Sequence, residues 1–268
     1  MNRNTSNDKY RAPALEKGLD ILELLSQHAG GMSQGEVAGA LARSQSEIYR
    51  MLSTLVRRGY VVRSPSGDRY ALSLKMFSLG QRHPPIERVV ETALPKMRAI
   101  ARKAWQSCHL GMENNGDIVI IAAAESPGNW SLALRSGSVV GLWNTGTGRV
   151  LAAFRSREEV DALVGLHRRA VGEPELNRAE FDAHLARIRA LGYEQMPSAT
   201  ATGVTNIAFP IFDSLGRVTA ALSCPYLERV DELEVPSQDE IIRMYGLLAR
   251  ELTALHGGTV PHFGDARQ

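Results

Sequence analysis

The sequence predicts an α+β protein of two units, a helical N-terminal module closed by a β-hairpin and a larger C-terminal domain built on an antiparallel sheet. Three observations predict it. Apolar residues recur at helical spacing through residues 14–58; two strand-like runs then flank a turn rich in breakers; and beyond residue 85, paired β-branched runs are interspersed with amphipathic helices. A length of 268 residues suits two domains. With 44% hydrophobic and 22% charged residues, each unit has enough apolar side chains for a core, which excludes a largely disordered chain.

Residues 1–13 are polar and aperiodic and are expected to fray. From Ala14 to Ser26, Leu15, Leu19, Ile21, Leu22 and Leu25 make one face of a helix, opposite Glu16, Lys17, Asp20 and Glu23. Gly30-Gly31 stops it. Ser33-Gln34-Gly35-Glu36 and Ser44-Gln45-Ser46-Glu47 each have capping-box spacing, so a short helix to about Leu41 and a third to about Arg58 follow, joined by Ala42-Arg43. In the third helix Ile48, Met51, Leu52 and Leu55 face inward, leaving Gln45, Ser46, Tyr49, Arg50 and Ser53 outside. Tyr60–Arg63 and Arg69–Leu72 read as strands around Ser64-Pro65-Ser66-Gly67-Asp68. Two short capped helices, a tight turn and a hairpin are a winged helix-turn-helix, whose third helix suits a DNA major groove.

Charge supports that reading. Residues 1–75 hold eleven Lys and Arg against seven Asp and Glu, a balance of +4, which leaves −2 of the chain's +2 for the remainder. Double-stranded DNA is the expected partner, with Ser44, Gln45, Ser46, Tyr49 and Arg50 on the helix and Arg63 and Arg69 on the wing as candidate contacts to bases or phosphates. Glu47 is an acid near that face; it either serves the cap or accepts from cytosine.

A linker helix is expected within residues 74–85, ending at His83-Pro84-Pro85. A long helix from about Ile86 to Ala104 carries Pro95, which predicts a kink or two shorter helices. Cys108–Met112 and Asp117–Ala124 are strands joined at Asn114-Asn115-Gly116, and a further strand is expected over Trp130–Leu134. Helices follow over 148–154, 158–163 and 178–191, then strands over 203–212 and 218–225, and a closing helix over 236–255. The domain is bounded at 86–257, and residues 258–268 are expected to be a flexible tail.

In the C-terminal domain catalytic signatures are absent: there is no G-x-S-x-G, no Walker A, no dinucleotide fingerprint and no H-E-x-x-H. Neither a cofactor nor a metal is expected. Cys108 and Cys224 lack metal-ligand spacing and read as buried thiols. His167 and His184 read as solvated, and His109 as a structural histidine in a strand. No stretch of about 18 apolar residues and no secretory pattern occurs, so a cytoplasmic protein without membrane contact is expected.

Several segments resemble the IclR family of bacterial transcriptional regulators. Ala14-Leu15-Glu16-Lys17-Gly18-Leu19-Asp20-Ile21-Leu22 resembles its first helix, Ile48–Leu55 its recognition helix, and Gly59-Tyr60-Val61 with Arg69–Leu72 its wing. His109–Met112, Gly116-Asp117, Glu125-Ser126-Pro127, Thr145–Ala152, Gly203-Val204, Ala208–Asp213 and Gly216–Ser223 are similar, in order, to segments of its effector domain. The resemblance implies a GAF-like effector-binding domain, dimers or tetramers, and regulation, more often repression, of a catabolic operon by a small organic effector. By the same resemblance the pocket is lined by Asn129, Leu132, Val140, Gly146, Thr147, Met196, Val204, Asn206, Ser223 and Pro225, with helix amides near Gly148 free to bind an anion or carbonyl oxygen. Where family members often carry acids, residues 194–202 read Glu-Gln-Met-Pro-Ser-Ala-Thr-Ala-Thr, which suggests a less charged, larger or aromatic effector. Trp130 and Trp143 are placed to stack on a ring or to fill the core. The rival reading is a small-molecule enzyme that uses its helix-turn-helix to oligomerise.

Overall fold

The computed structural model describes residues 12–81, 84–129, 131–231, 233–261 and 263; the expectations for residues 1–11 and for Trp130 lie outside them. The chain forms two compact units that divide between Pro84 and Pro85.

The first unit runs α1 (Pro13–Ser26), β1 (Met32–Ser33), α2 (Gln34–Ala40), α3 (Gln45–Arg57), β2 (Val61–Arg63), β3 (Arg69–Leu72) and α4 (Lys75–Gln81). Both capping boxes form, Ser33 with Glu36 and Ser44 with Glu47, so α2 and α3 start where their side chains satisfy the orphan amides. The core takes a residue pair from each of the first three helices: Ile21 and Leu25 of α1, Val37 and Ala38 of α2, Ile48 and Leu52 of α3, closed by Val61 and Tyr70 of the wing. The wing has a third strand, β1, which the sequence did not announce, because two residues are too few for a periodic signal.

The second unit continues with α5 (Pro84–Ala104), β4 (Cys108–Asn114), β5 (Asp117–Ala124), β6 (Val139–Val140), α6 (Gly146–Ala153), α7 (Arg157–Leu166), α8 (Arg178–Leu191), β7 (Glu194–Pro197), β8 (Val204–Phe212), β9 (Val218–Leu227) and α9 (Gln238–Leu255). Among the described residues, six strands pair antiparallel in the order β6-β5-β4-β9-β8-β7. Antiparallel register sorts the side chains. Leu222, Cys224, Ile207 and Phe209 face α5 and α9, where Ala93, Met97, Tyr245 and Leu248 complete one core. Ala221 and Ala208 face the other way, against α6, α7 and α8. Cys108 and Cys224 are free, buried thiols of the first core, and burial pushes Cys108 up to about 12.

Four expectations are corrected. Residues 131–135 form no strand; the chain joins the ladder only once Gly137 donates to the Ile120 carbonyl, and β6 follows there. An edge strand forms instead at β7, whose Glu-Gln-Met-Pro sequence has no β-branched residue and is held by pairing with β8. Of the two outcomes expected at Pro95, two shorter helices do not form: α5 is one helix, and the Pro95 ring lies on its exposed side, where water can take the carbonyl that loses its donor. After α9, Val260 and Phe263 are packed rather than loose: both lie against the second core, with Phe263 tilted on Phe154 at 5.6 Å.

Candidate functional site

In the first unit, α3 presents Gln45, Ser46, Tyr49 and Arg50 on its exposed side, while Ile48 and Leu52 are fully buried. Ser44 is committed to the cap. Glu47 is tied to the Ser44 amide and hydroxyl and to Lys17 of α1 at 2.5 Å; the Lys17 ammonium, then Ser44, hold its carboxyl down at about 2. The one acid on this face is thus paired inside the protein. The wing arginines are also occupied. Arg63 donates to the Gly67 carbonyl and lies 5.6 Å from the Tyr70 ring centroid, and Arg69 donates to the carbonyls of Gly30 and Gly31. By contrast, no hydrogen bond or ion pair among the described residues holds the guanidinium of Arg50, or that of Arg43, exposed just before the cap and given no role by the sequence.

In the second unit a cavity of about 180 Å³ lies at the N-terminal end of α6. Its floor follows from register. His109 of β4 stands opposite Ser223 of β9, and Ser223 stands opposite Ala208 of β8, so β4, β9 and β8 turn His109, Gly111, Ser223, Pro225, Val204 and Asn206 to the α6 side. Small residues let α6 sit close. A Cβ on Gly111 would come within 2.4 Å of the Thr147 side chain, and one on Gly148 within 2.4 Å of the Leu142 carbonyl. Thr145 caps the helix, accepting from the Gly148 amide, so the amides of Gly146 and Thr147 are its first-turn donors without an internal partner.

The cavity gathers Gly146 and Thr147, Val204 and Asn206, Ser223 and Pro225, and, from the segment beside β5, Leu132 and Val140. Two residues implied by resemblance stand apart. Asn129 is exposed in the loop that forms no strand, and Met196 is buried opposite Asn206 without reaching the lining. Sequence reasoning missed His109 as a lining residue, together with Ala170, Val171, Ser198 and Thr200 from loops. Trp143 is core: its indole donates to the Pro174 carbonyl.

His167 corrects another expectation. It is buried beyond the end of α7, off that helix's solvated face, and bridges the Gly116 carbonyl and the Glu173 carboxylate at 2.7 Å each. Glu173 also accepts from the amides of Trp143 and Ala170, and so anchors the loop that delivers Ala170 and Val171 to the cavity.

No charged side chain lines the cavity. Its polar end is a hydrogen-bonded row, His109 Nε2 to Thr147 Oγ1 at 3.0 Å and Thr147 Oγ1 to Ser223 Oγ at 2.8 Å. His109 Nδ1 and Asn144 Oδ1 are buried without a partner. Burial alone pushes the imidazole down from 6.5 to about 4, so it is neutral near pH 7. The unfolded chain takes up a proton between those values while the folded one does not, so stability falls as the pH drops from 6.5 towards 4. The difference is about 3 kcal/mol from this one group. Denaturant melts of wild type and His109→Gln at pH 4 and pH 7 check it: the variant is expected to lose less stability on acidification. An equal loss in both would mean that His109 is protonated in the folded protein.

The model for the bacterial transcriptional regulator IclR C-terminal domain matches residues 86–247, and that for the IclR helix-turn-helix domain matches residues 14–65. The chain belongs to the IclR family. Among relatives of this IclR-family regulator, the HTH-type transcriptional regulator KdgR of Escherichia coli (strain K12) is 30% identical over 226 residues, covering 83% of this chain and 84% of that protein. The HTH-type transcriptional repressor AllR of Salmonella typhi is 26% identical over 236 residues, 87% of this chain and 86% of that one. An IclR homologue of Microbacterium hydrocarbonoxydans, solved in complex with 4-hydroxybenzoate, shares the fold with a TM-score of 0.73 at 19% identity, covering 90% of this chain and 98% of its own. The regulator thus pairs a DNA-binding helix-turn-helix with the family's C-terminal domain. Among the described residues, no helix is long and apolar enough to cross a membrane.

Proposed function

We propose that this regulator is a ligand-responsive repressor of a catabolic operon. Residues 14–73 read double-stranded operator DNA through Gln45, Ser46, Tyr49 and Arg50, residues 74–85 link the units, and residues 86–257 hold a small organic effector. The observation that carries the proposal is the cavity under α6, which combines unpartnered helix amides and a buried polar row with walls free of charged side chains. Such walls suit an effector of low charge whose bulk is apolar or aromatic, and the complex of the Microbacterium homologue with 4-hydroxybenzoate supports that class. The relative named a repressor supports the sign of control. Exposed Leu15 and Leu19 of α1, with Leu74 and Phe77 around α4, favour association of copies, which two-headed reading of a symmetric site requires. Effector binding then shifts the population of copies able to span the operator.

The test is a gel shift on the DNA upstream of the regulator's own coding sequence, with a panel of small acids, ketones and phenols added. A sequence-dependent, salt-sensitive complex that one class of neutral or singly charged compound dissociates is expected. Thermal stabilisation by small aliphatic dicarboxylates alone would contradict the proposed effector class.

A further inference from the structure

The row of His109, Thr147 and Ser223 has a direction. A neutral imidazole carries one proton, so one ring nitrogen donates and the other accepts. Nδ1 is sealed from solvent and has no partner. A buried N–H left without an acceptor is rarer and costlier than a lone pair left without a donor, which puts the proton on Nε2. Nε2–H then donates to Thr147 Oγ1, and the buried Thr147 hydroxyl, whose one other partner among the described residues is Ser223, donates to Ser223 Oγ. The Ser223 hydroxyl proton is what remains, on a residue that lines the cavity beside the first-turn amides of Gly146 and Thr147.

We infer that His109 is a positioning residue that, through Thr147, holds the Ser223 hydroxyl as a hydrogen-bond donor into the cavity. The Ser223 hydroxyl and the Gly146 and Thr147 amides then donate side by side, so the ligand end set against them carries an acceptor oxygen, of a carbonyl or carboxyl group, and an N–H donor is disfavoured at that place, although the lining also holds the Asn144 Oδ1 acceptor. This rests on the cavity being the effector site. Burial of the imidazole, which keeps it neutral, agrees with the direction of the row.

Two measurements on the full chain test it. Long-range proton–nitrogen NMR of the ligand-free protein is expected to place the His109 proton on Nε2; a proton on Nδ1 overturns the inference and leaves the effector reading intact. Calorimetric titration then uses matched probes that differ only in the polar end: benzoate, acetophenone and benzylamine. Benzoate and acetophenone are expected to bind at least about ten-fold tighter than benzylamine. His109→Phe is expected to shrink that ratio below about three-fold, and His109→Gln, which can still donate to Thr147, to restore most of it. Equal ratios in wild type and His109→Phe, with the Gly146 and Thr147 amide signals moving on binding, overturn the role of His109 alone. A cavity that takes none of the three probes counts against the effector class and against this inference together.

Discussion

Arg50→Ala is expected to lower affinity for a cognate operator by roughly 5- to 150-fold per half-site, the worth of the ~1–3 kcal/mol carried by one bidentate contact to a base. The melting temperature should not move. Arg50 is exposed on α3, and none of the described residues holds its guanidinium, so the folded state loses nothing when it goes. Arg69→Ala should show the reverse, because its guanidinium ties the wing to the Gly30 and Gly31 carbonyls. Fluorescence anisotropy on cognate and scrambled duplexes, beside thermal melts, separates the two. A loss of stability in Arg50→Ala, or an equal loss of affinity for both duplexes, would remove Arg50 from base reading.

Gly148→Ala is expected to destabilise the second unit by roughly 2–4 kcal/mol, a size reached only where a specific clash is made. The added Cβ meets backbone, the Leu142 carbonyl at 2.4 Å and the Gly141 carbonyl at 2.6 Å, so neither neighbour can rotate away. The first turn of α6 must lift from the sheet, which also displaces the Thr145 cap and the cavity floor. A fall in melting temperature of roughly 5–12 °C follows. Gly165→Ala is the control. That glycine sits near the end of α7, where an added Cβ would meet nothing within 4 Å, so the exchange should be neutral or stabilising by up to about 1 kcal/mol. Similar melting temperatures for the two variants would show that α6 tolerates displacement.

The sequence made the first unit legible because its signals are local. Ser33 with Glu36 and Ser44 with Glu47 mark helix starts within four residues, and Ile48 with Leu52 fixes the inner face of α3. What it could not reveal there was commitment: only the fold shows that Glu47 belongs to Lys17 and that Arg69 belongs to the Gly30 and Gly31 carbonyls. In the second unit the helices and the long strands were legible, but β7 was not, since its residues pair because β8 is there rather than from preference. The cavity shows the same division. Eight of the ten residues that resemblance implied line it, whereas His109 reads as an ordinary strand residue until its register opposite Ser223 is known. His167 looked solvated because nothing near it in sequence announces Gly116 as its partner.

Selection from a random pool of DNA duplexes tests the DNA-reading role most directly, since the pool contains every short site and the operator itself can be unknown. Wild type is expected to enrich a two-fold related pair of half-sites, roughly 10–10.5 base pairs or a multiple of that apart, bound on the order of 10³-fold tighter than random sequence at physiological salt. Arg50→Ala should fail to enrich it. A pool that returns without any preferred sequence, from protein that is folded, would contradict the assignment of α3 as a reader of DNA.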